Sequence, residues 1–133
     1  MPEPLYSLEV GDCFEVKNIN GLHLHFIVAE YSDSENSEIM LVYISSFDTR
    51  IDKTTILHPG EHPFITKRSW VRYQNIIIVN REDIQKSIIR YHGKCNEALL
   101  EKIQRGICKS PFTANEHKII FTQWHTERNM KSI

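Results

Sequence analysis

Long apolar runs are missing from this 133-residue chain. No segment approaches the roughly 18 consecutive apolar residues that a bilayer-spanning helix needs. The start, Met1-Pro2-Glu3-Pro4, has no basic-then-apolar leader. A cytoplasmic protein without membrane association is therefore expected. Cysteine is scarce and odd in number: Cys13, Cys95 and Cys108, with no C-x-x-C spacing. That fits free, buried thiols in a reducing compartment better than a disulfide framework. Glycine numbers only 5, and no glycine-rich phosphate loop is present. A formal net charge of -1 excludes a whole-molecule field that gathers polyanions, so any site for them has to be a local patch.

What is present is ordinary for a globular protein, with 41% apolar and 25% charged residues. That supports one domain with a core of its own. Gly11-Asp12 introduces an alternating strand over Cys13-Phe14-Glu15-Val16-Lys17, and Asn18-Ile19-Asn20-Gly21 makes a hairpin turn. Leu22 to Glu30 continues as a strand, with His23, His25 and Ile27 on one face and Leu24, Phe26 and Val28 on the other. Ser32 to Ser37 is a polar, acidic loop. Ile39-Met40-Leu41-Val42-Tyr43-Ile44 has the continuous apolar character of a strand covered on both faces. Phe47 to Thr55 reads as a loop with partial strand character, and Asn75 to Val79 as a strand.

Beyond residue 79 the pattern turns helical. Asn80 caps a helix carrying Glu82 and Asp83 in its first turn, with Ile84, Ile88 and Tyr91 at helical spacing until Gly93. Asn96 caps a second helix with Leu99, Leu100, Ile103 and Ile107 on one face, stopped by Ser110-Pro111. Thr113 to Glu116 matches a capping box for a third, with Ile120, Phe121 and Trp124 inside. The expected fold is α+β: a small antiparallel barrel over about 9–79, C-terminal helices over 80–126, and a polar tail over 127–133.

The stretch His58 to Tyr73 organises this reading. Pro59-Gly60 makes a turn, and Phe64 and Ile65 then precede Lys67, Arg68 and Arg72, with Trp70 and Tyr73 among them. Cations interleaved with aromatics are the ingredients of a single-stranded nucleic-acid surface, where cations hold phosphates and rings stack bases. An ordinary strand, aromatics inward and charges outward, has the same composition.

Two chemistries suit the histidines. His23-x-His25 could share a metal with His117 or Cys95. However, His58-x-x-x-His62 is broken by Pro59-Gly60, so it is no helical ligand pair, and neither metal nor cofactor is expected. Proton transfer is the alternative, since imidazole titrates near neutrality. Cleavage of RNA by its own 2′-hydroxyl needs a base, an acid and a cation on the scissile phosphate. His23, His25 and Arg68 are of the right types if the fold brings them together. Ser45-Ser46 has no nucleophile elbow, so its hydroxyls suit contacts to phosphate or base rather than covalent chemistry.

Gly11-Asp12, the strand Phe26-Ile27-Val28 and the segment Leu41-Val42-Tyr43-Ile44-Ser45-Ser46 together resemble the PemK/MazF-like toxins of type II toxin–antitoxin systems. Gly60-Glu61-His62-Pro63-Phe64-Ile65 followed by Arg68-Ser69-Trp70-Val71-Arg72-Tyr73 looks like a PemK-like subgroup, as does Leu100 to Phe112. The resemblance implies an SH3-like barrel of five to seven strands, commonly a homodimer. It implies metal-independent endoribonuclease activity on single-stranded RNA and neutralisation by a small antitoxin whose tail enters the substrate groove. By position, Ser45 matches the hydroxyl residue at the strand end and Arg68 the second cationic position. His23 falls where the family carries a catalytic arginine, and the family's Arg-Pro pair before that strand is absent.

Two readings follow. In the first, the chain is a toxin-like endoribonuclease. His23 and His25 move protons, Arg68 holds the phosphate, and Ser45 positions it. Ser46, Lys67, Trp70, Arg72 and Tyr73 bind RNA. In the second, the same barrel is a non-catalytic module for a partner peptide or nucleic acid.

Overall fold

β1 (Asp12–Asn18) and β2 (Gly21–Ser32) pair antiparallel, with Cys13 opposite Phe26 and Glu15 opposite Leu24. β3 (Ser37–Ser46) lies on the other side of β2, with His25 opposite Tyr43 and Ile27 opposite Leu41. In this computed structural model the described residues are 7–18, 21–32, 37–46 and 51–131. The expected hairpin tip at Ile19-Asn20, the acidic loop over 33–36, the start of the loop at 47–50 and the chain ends lie outside them.

The outer edge of β3 is shared by two strands. Its first half pairs with β6 (Ile77–Asn80), and its last residues pair with β5 (Ser69–Val71), which in turn pairs with β4 (Ile56–Leu57). β7 (Ile88–Lys94) pairs with β1, giving the order β4-β5-β3-β2-β1-β7 in a 7-stranded sheet. Among the described residues no ladder joins β7 back to β4 or β6, so the antiparallel sheet is open and the expected closed barrel is not formed. One face of the sheet is packed by the C-terminal helices.

Residues alternate faces along a strand, and each face has its own apolar cluster. Leu24, Phe26, Val28, Met40 and Val42 pack with Leu99, Ile103 and Ile107 of α2 (Glu97–Lys109) and Phe121 of α3 (Asn115–Lys131). Phe14, Ile27, Ile39 and Leu41 pack on the opposite face with Leu8 and Ile84. The run Ile39 to Ile44 is thus buried on both sides, as its composition predicts.

Two helix expectations are corrected. Asn80 does cap a helix, accepting from the amides of Glu82 and Asp83, but that helix, α1 (Arg81–Gln85), ends after about one turn. Ser87 closes a turn onto the Ile84 carbonyl, and Ile88 onward becomes a strand on β1, with Val16 opposite Ile88 and Phe14 opposite Tyr91. The β-branched pair Ile88-Ile89 favours extended backbone, and the unpaired edge of β1 supplies the hydrogen bonds. The capping box before α3 is also not formed. Thr113 Oγ1 is buried with no hydrogen-bond partner, and the Ala114 carbonyl accepts from His117 and Lys118 instead. α3 then runs on to Lys131, into the polar tail. By contrast α2 is capped as expected, Asn96 accepting from Leu99 N at 2.8 Å. No helix among the described residues is long and apolar enough to cross a membrane.

Candidate functional site on the β2–β3–β5 face

Tyr43 sits midway along β3 on the face turned away from α2 and α3. Strand pairing delivers four neighbours to it. His25 lies directly opposite on β2, its ring centroid 5.1 Å from that of Tyr43. His23, two residues back on the same face, approaches to 4.6 Å. Ser45 is the next same-face residue of β3. Arg72 follows β5 and donates its amide to the Tyr43 carbonyl, which carries its side chain onto the same face. Its guanidinium carbon lies 5.5 Å from the Tyr43 ring centroid and 4.7 Å from that of Trp70.

Hydrogen bonds fix the polar groups. Arg72 Nε donates to Asn75 Oδ1 at 2.9 Å, and Nη1 donates to Ser45 Oγ at 3.5 Å. A carbonyl can only accept, so His25 Nδ1 carries a proton given to the His23 carbonyl at 3.0 Å. His23 Nδ1 likewise donates to the Ile44 carbonyl at 3.2 Å. In both rings Nε2 is left as the basic nitrogen.

The two histidines are not equivalent. His25 is 3% exposed, stacked parallel to Phe14, and burial pushes its pKa down to about 4. It is neutral across physiological pH and too weak a base for efficient proton transfer near neutrality. His23 is only half-buried. The face thus presents His23, Ser45 and Arg72 to solvent over a floor of His25 and Tyr43.

Other expected site residues fall elsewhere. Arg68 is exposed just ahead of β5, and the cation brought onto Tyr43 is Arg72. Ser46 and Lys67 lie round the back. With Ile44, Phe64 and Ser69 they line a cleft of about 330 Å³ on the face opposite Ser45, because adjacent strand residues point to opposite sides. The two expected stacking platforms are interior residues. Tyr73 is 0% exposed and gives its hydroxyl proton to the Ile103 carbonyl at 2.6 Å. Trp70 is 2% exposed, with its indole N–H on the Ser46 carbonyl. Neither offers a base an open ring.

His62 belongs to a separate group on the helix side of the sheet. It is 6.1 Å edge-on to Phe26 and 6.0 Å from His92, and burial lowers its pKa. His92 Nε2 lies 3.0 Å from the buried carboxylate of Glu15. Phe26 and His25 point to opposite faces of β2, so this group does not meet His23 and His25. The described residues contain no set of three or more His, Cys, Asp or Glu side chains placed to hold a metal ion. Of the cysteines only Cys13 is buried; Cys95 is half-buried and Cys108 exposed.

The sequence reading missed Tyr43 as the centre of the cluster. The period of two puts Tyr43 and Ser45 on one face of their strand, but placing His25 opposite Tyr43 needs the β2–β3 register, which local pattern does not carry.

No family model matches the chain, and no curated protein matches it. Among solved structures it is similar to one described as an endoribonuclease in complex with its cognate antitoxin from Mycobacterial species. The TM-score is 0.51 at 18% identity, covering 80% of this chain and 93% of that one, so the two share an α+β fold in which an antiparallel sheet is followed by C-terminal helices.

Proposed function

We propose that the protein is a toxin-like endoribonuclease that cuts single-stranded RNA without a metal ion, using the face around Tyr43. The observation that carries this reading is the convergence of His23, Ser45 and Arg72 on one exposed face. Its resemblance to PemK/MazF-like toxins and its fold likeness to a toxin endoribonuclease point the same way.

In this reading His23 Nε2 takes the proton of the RNA 2′-hydroxyl as its oxygen attacks the neighbouring phosphorus. The P–O5′ bond breaks, leaving a 2′,3′-cyclic phosphate, and the 5′-oxygen takes a proton from the imidazolium or from water. Arg72 neutralises the charge gathering on the non-bridging oxygens. Ser45 orients the phosphate, and the exposed Arg68 adds a second positive charge near the same strand. His25 acts as a positioning residue, its proton bridging to the His23 carbonyl. An antitoxin-like acidic peptide crossing the same face would block it, and a homodimer would extend the groove.

The test is incubation of purified protein with a long RNA in EDTA, with His23→Ala and Arg72→Ala alongside. Cut ends carrying cyclic phosphate, lost in both variants, are expected. Wild-type protein that leaves the RNA intact, or variants that cut at the wild-type rate, would sink the proposal.

A second reading, a binding module without chemistry, is favoured by the missing Arg-Pro pair before the β2 strand and by the net charge of -1. Salt-sensitive RNA binding without cut ends would select it.

A further inference from the structure

α2 carries three cations, Lys102, Arg105 and Lys109, at spacings of three and four, which place them along one side of the helix. With Thr54, Thr55 and Ile56 they enclose a cleft of about 170 Å³ between the helix and the β4 edge of the sheet. Lys102 is bound to Glu61 at 3.0 Å. Arg105 and Lys109 are exposed, and neither meets a carboxylate among the described residues. Like charges one turn apart destabilise a helix by about 0.2–0.5 kcal/mol per pair. Lys109 recovers part of that at the helix C-terminus; Arg105, mid-helix, does not. Gly106 lets the helix lie close against Tyr73 and Thr55, since a Cβ there would fall 2.0 Å from Tyr73 Oη.

The cleft adjoins the candidate RNA face. Ile56 lines it and is the cross-strand partner of Trp70, the residue that carries the Arg72 guanidinium. β4 therefore stands between the two cation sites. Neighbouring strands lie about 4.8 Å apart, so a short length of extended single strand spans β4.

We infer that the cleft between β4 and α2 is a second phosphate-binding subsite, in which Arg105 and Lys109 hold the RNA backbone flanking the residues at Arg72. This rests on the nuclease reading and deepens it by assigning the path of the substrate.

The experiment measures equilibrium binding of single-stranded RNAs of about four and about twelve nucleotides across a salt series. The proteins are wild type, the double variant Arg105→Ala/Lys109→Ala, the charge-keeping swap Arg105→Lys/Lys109→Arg, and Arg72→Ala, with melting curves to show that each is folded. Loss of two phosphate contacts is expected to flatten the slope of log affinity against log salt by about 1.4 for the long RNA. The short RNA should be unaffected, the swap should bind as wild type, and Arg72→Ala should weaken both lengths. A double variant that binds the long RNA like wild type, or loses both lengths equally, overturns the subsite; if wild type still cuts RNA, the nuclease reading survives. Wild type that binds neither RNA removes both. Polyglutamate that competes with long RNA on wild type but not on the double variant, with RNA affinity unchanged, overturns it in favour of an acidic peptide.

Discussion

Arg72 lies over the indole of Trp70, its guanidinium carbon 4.7 Å from the ring centroid. The buried ring is thus a seat for a cation and not a platform for a base. A stacked guanidinium whose Nε is tied to Asn75 is pre-oriented, so little side-chain freedom is lost when it meets a phosphate. Arg72→Ala should lower cleavage by about 10²–10³-fold, comparable to removing one fixed donor at a developing charge. Arg72→Lys should recover only part, because an ammonium keeps the charge without the planar stack. Single-turnover cleavage, with melting temperatures showing folded variants, checks both.

The two strand histidines should separate by pH. His25 has its pKa pushed from 6.5 to about 4 by burial. The unfolded chain therefore binds a proton between those values that the native protein refuses, and stability falls as pH drops through that window. The full effect is on the order of 3 kcal/mol, at about 1.4 kcal/mol per unit. The lowered pKa of the buried His62 acts in the same direction. Urea midpoints measured from neutral pH down to about 4 should fall steeply in wild type and less steeply in His25→Gln. Equal acid sensitivity in the two proteins would contradict this assignment. His23→Ala should instead remove about 10²–10⁴-fold of cleavage near neutrality.

What could be read from the residues alone was whatever depends on local pattern. The continuous run Ile39 to Ile44 announced a strand covered on both faces. Asn80 and Asn96 announced helix caps, and Pro59-Gly60 a turn with Gly60 at φ 95. What was hidden depends on long-range pairing. Ile84, Ile88 and Tyr91 fit a helical period, and only the vacant edge of β1 turned the last two into strand residues. Choosing Arg72 over Arg68 required knowing that Ile44 pairs with Val71, which sets which side chains share the Tyr43 face. Trp70 and Tyr73 looked like base platforms because composition does not distinguish a buried ring from an open one. The pair Ser45-Ser46 was read as one unit, yet strand alternation sends its hydroxyls to opposite faces.

Gly106 gives a sharp test of the α2 packing. Alanine is worth about 1 kcal/mol over glycine inside a helix, which favours the substitution. Opposing it, the new methyl would fall 2.0 Å from Tyr73 Oη and 2.3 Å from Thr55 Oγ1. These two hydroxyls bond each other at 2.8 Å, and Tyr73 also holds the Ile103 carbonyl, so neither can move without breaking a buried hydrogen bond. Overpacking costs about 1–3 kcal/mol, and each lost hydrogen bond about 1 kcal/mol more, so strain outweighs propensity. Gly106→Ala should lower stability by about 1–3 kcal/mol in denaturant unfolding. A stabilised variant would mean that the added methyl meets neither hydroxyl.

Asp52 is the polar counterpart of that contact. Only 4% exposed, it accepts from Ser110 Oγ at 2.5 Å, from Thr54 Oγ1 at 2.5 Å and from Thr54 N at 2.9 Å. It thereby ties the segment before β4 to the end of α2, where the Ser110 amide closes onto Gly106. Hydrogen bonds to a charged group are worth about 1.5–3 kcal/mol each, but their removal also spares the desolvation of the carboxylate. Asp52→Ala is therefore expected to cost about 3 kcal/mol rather than the sum. Asp52→Asn should cost about 1–2 kcal/mol, since one oxygen still accepts from the Thr54 amide while the new NH₂ faces a hydroxyl able to turn. Urea unfolding orders the variants, and hydrogen exchange at the Thr54 amide reports the local tie. Protection unchanged in Asp52→Ala would show that this amide is held by something other than the carboxylate.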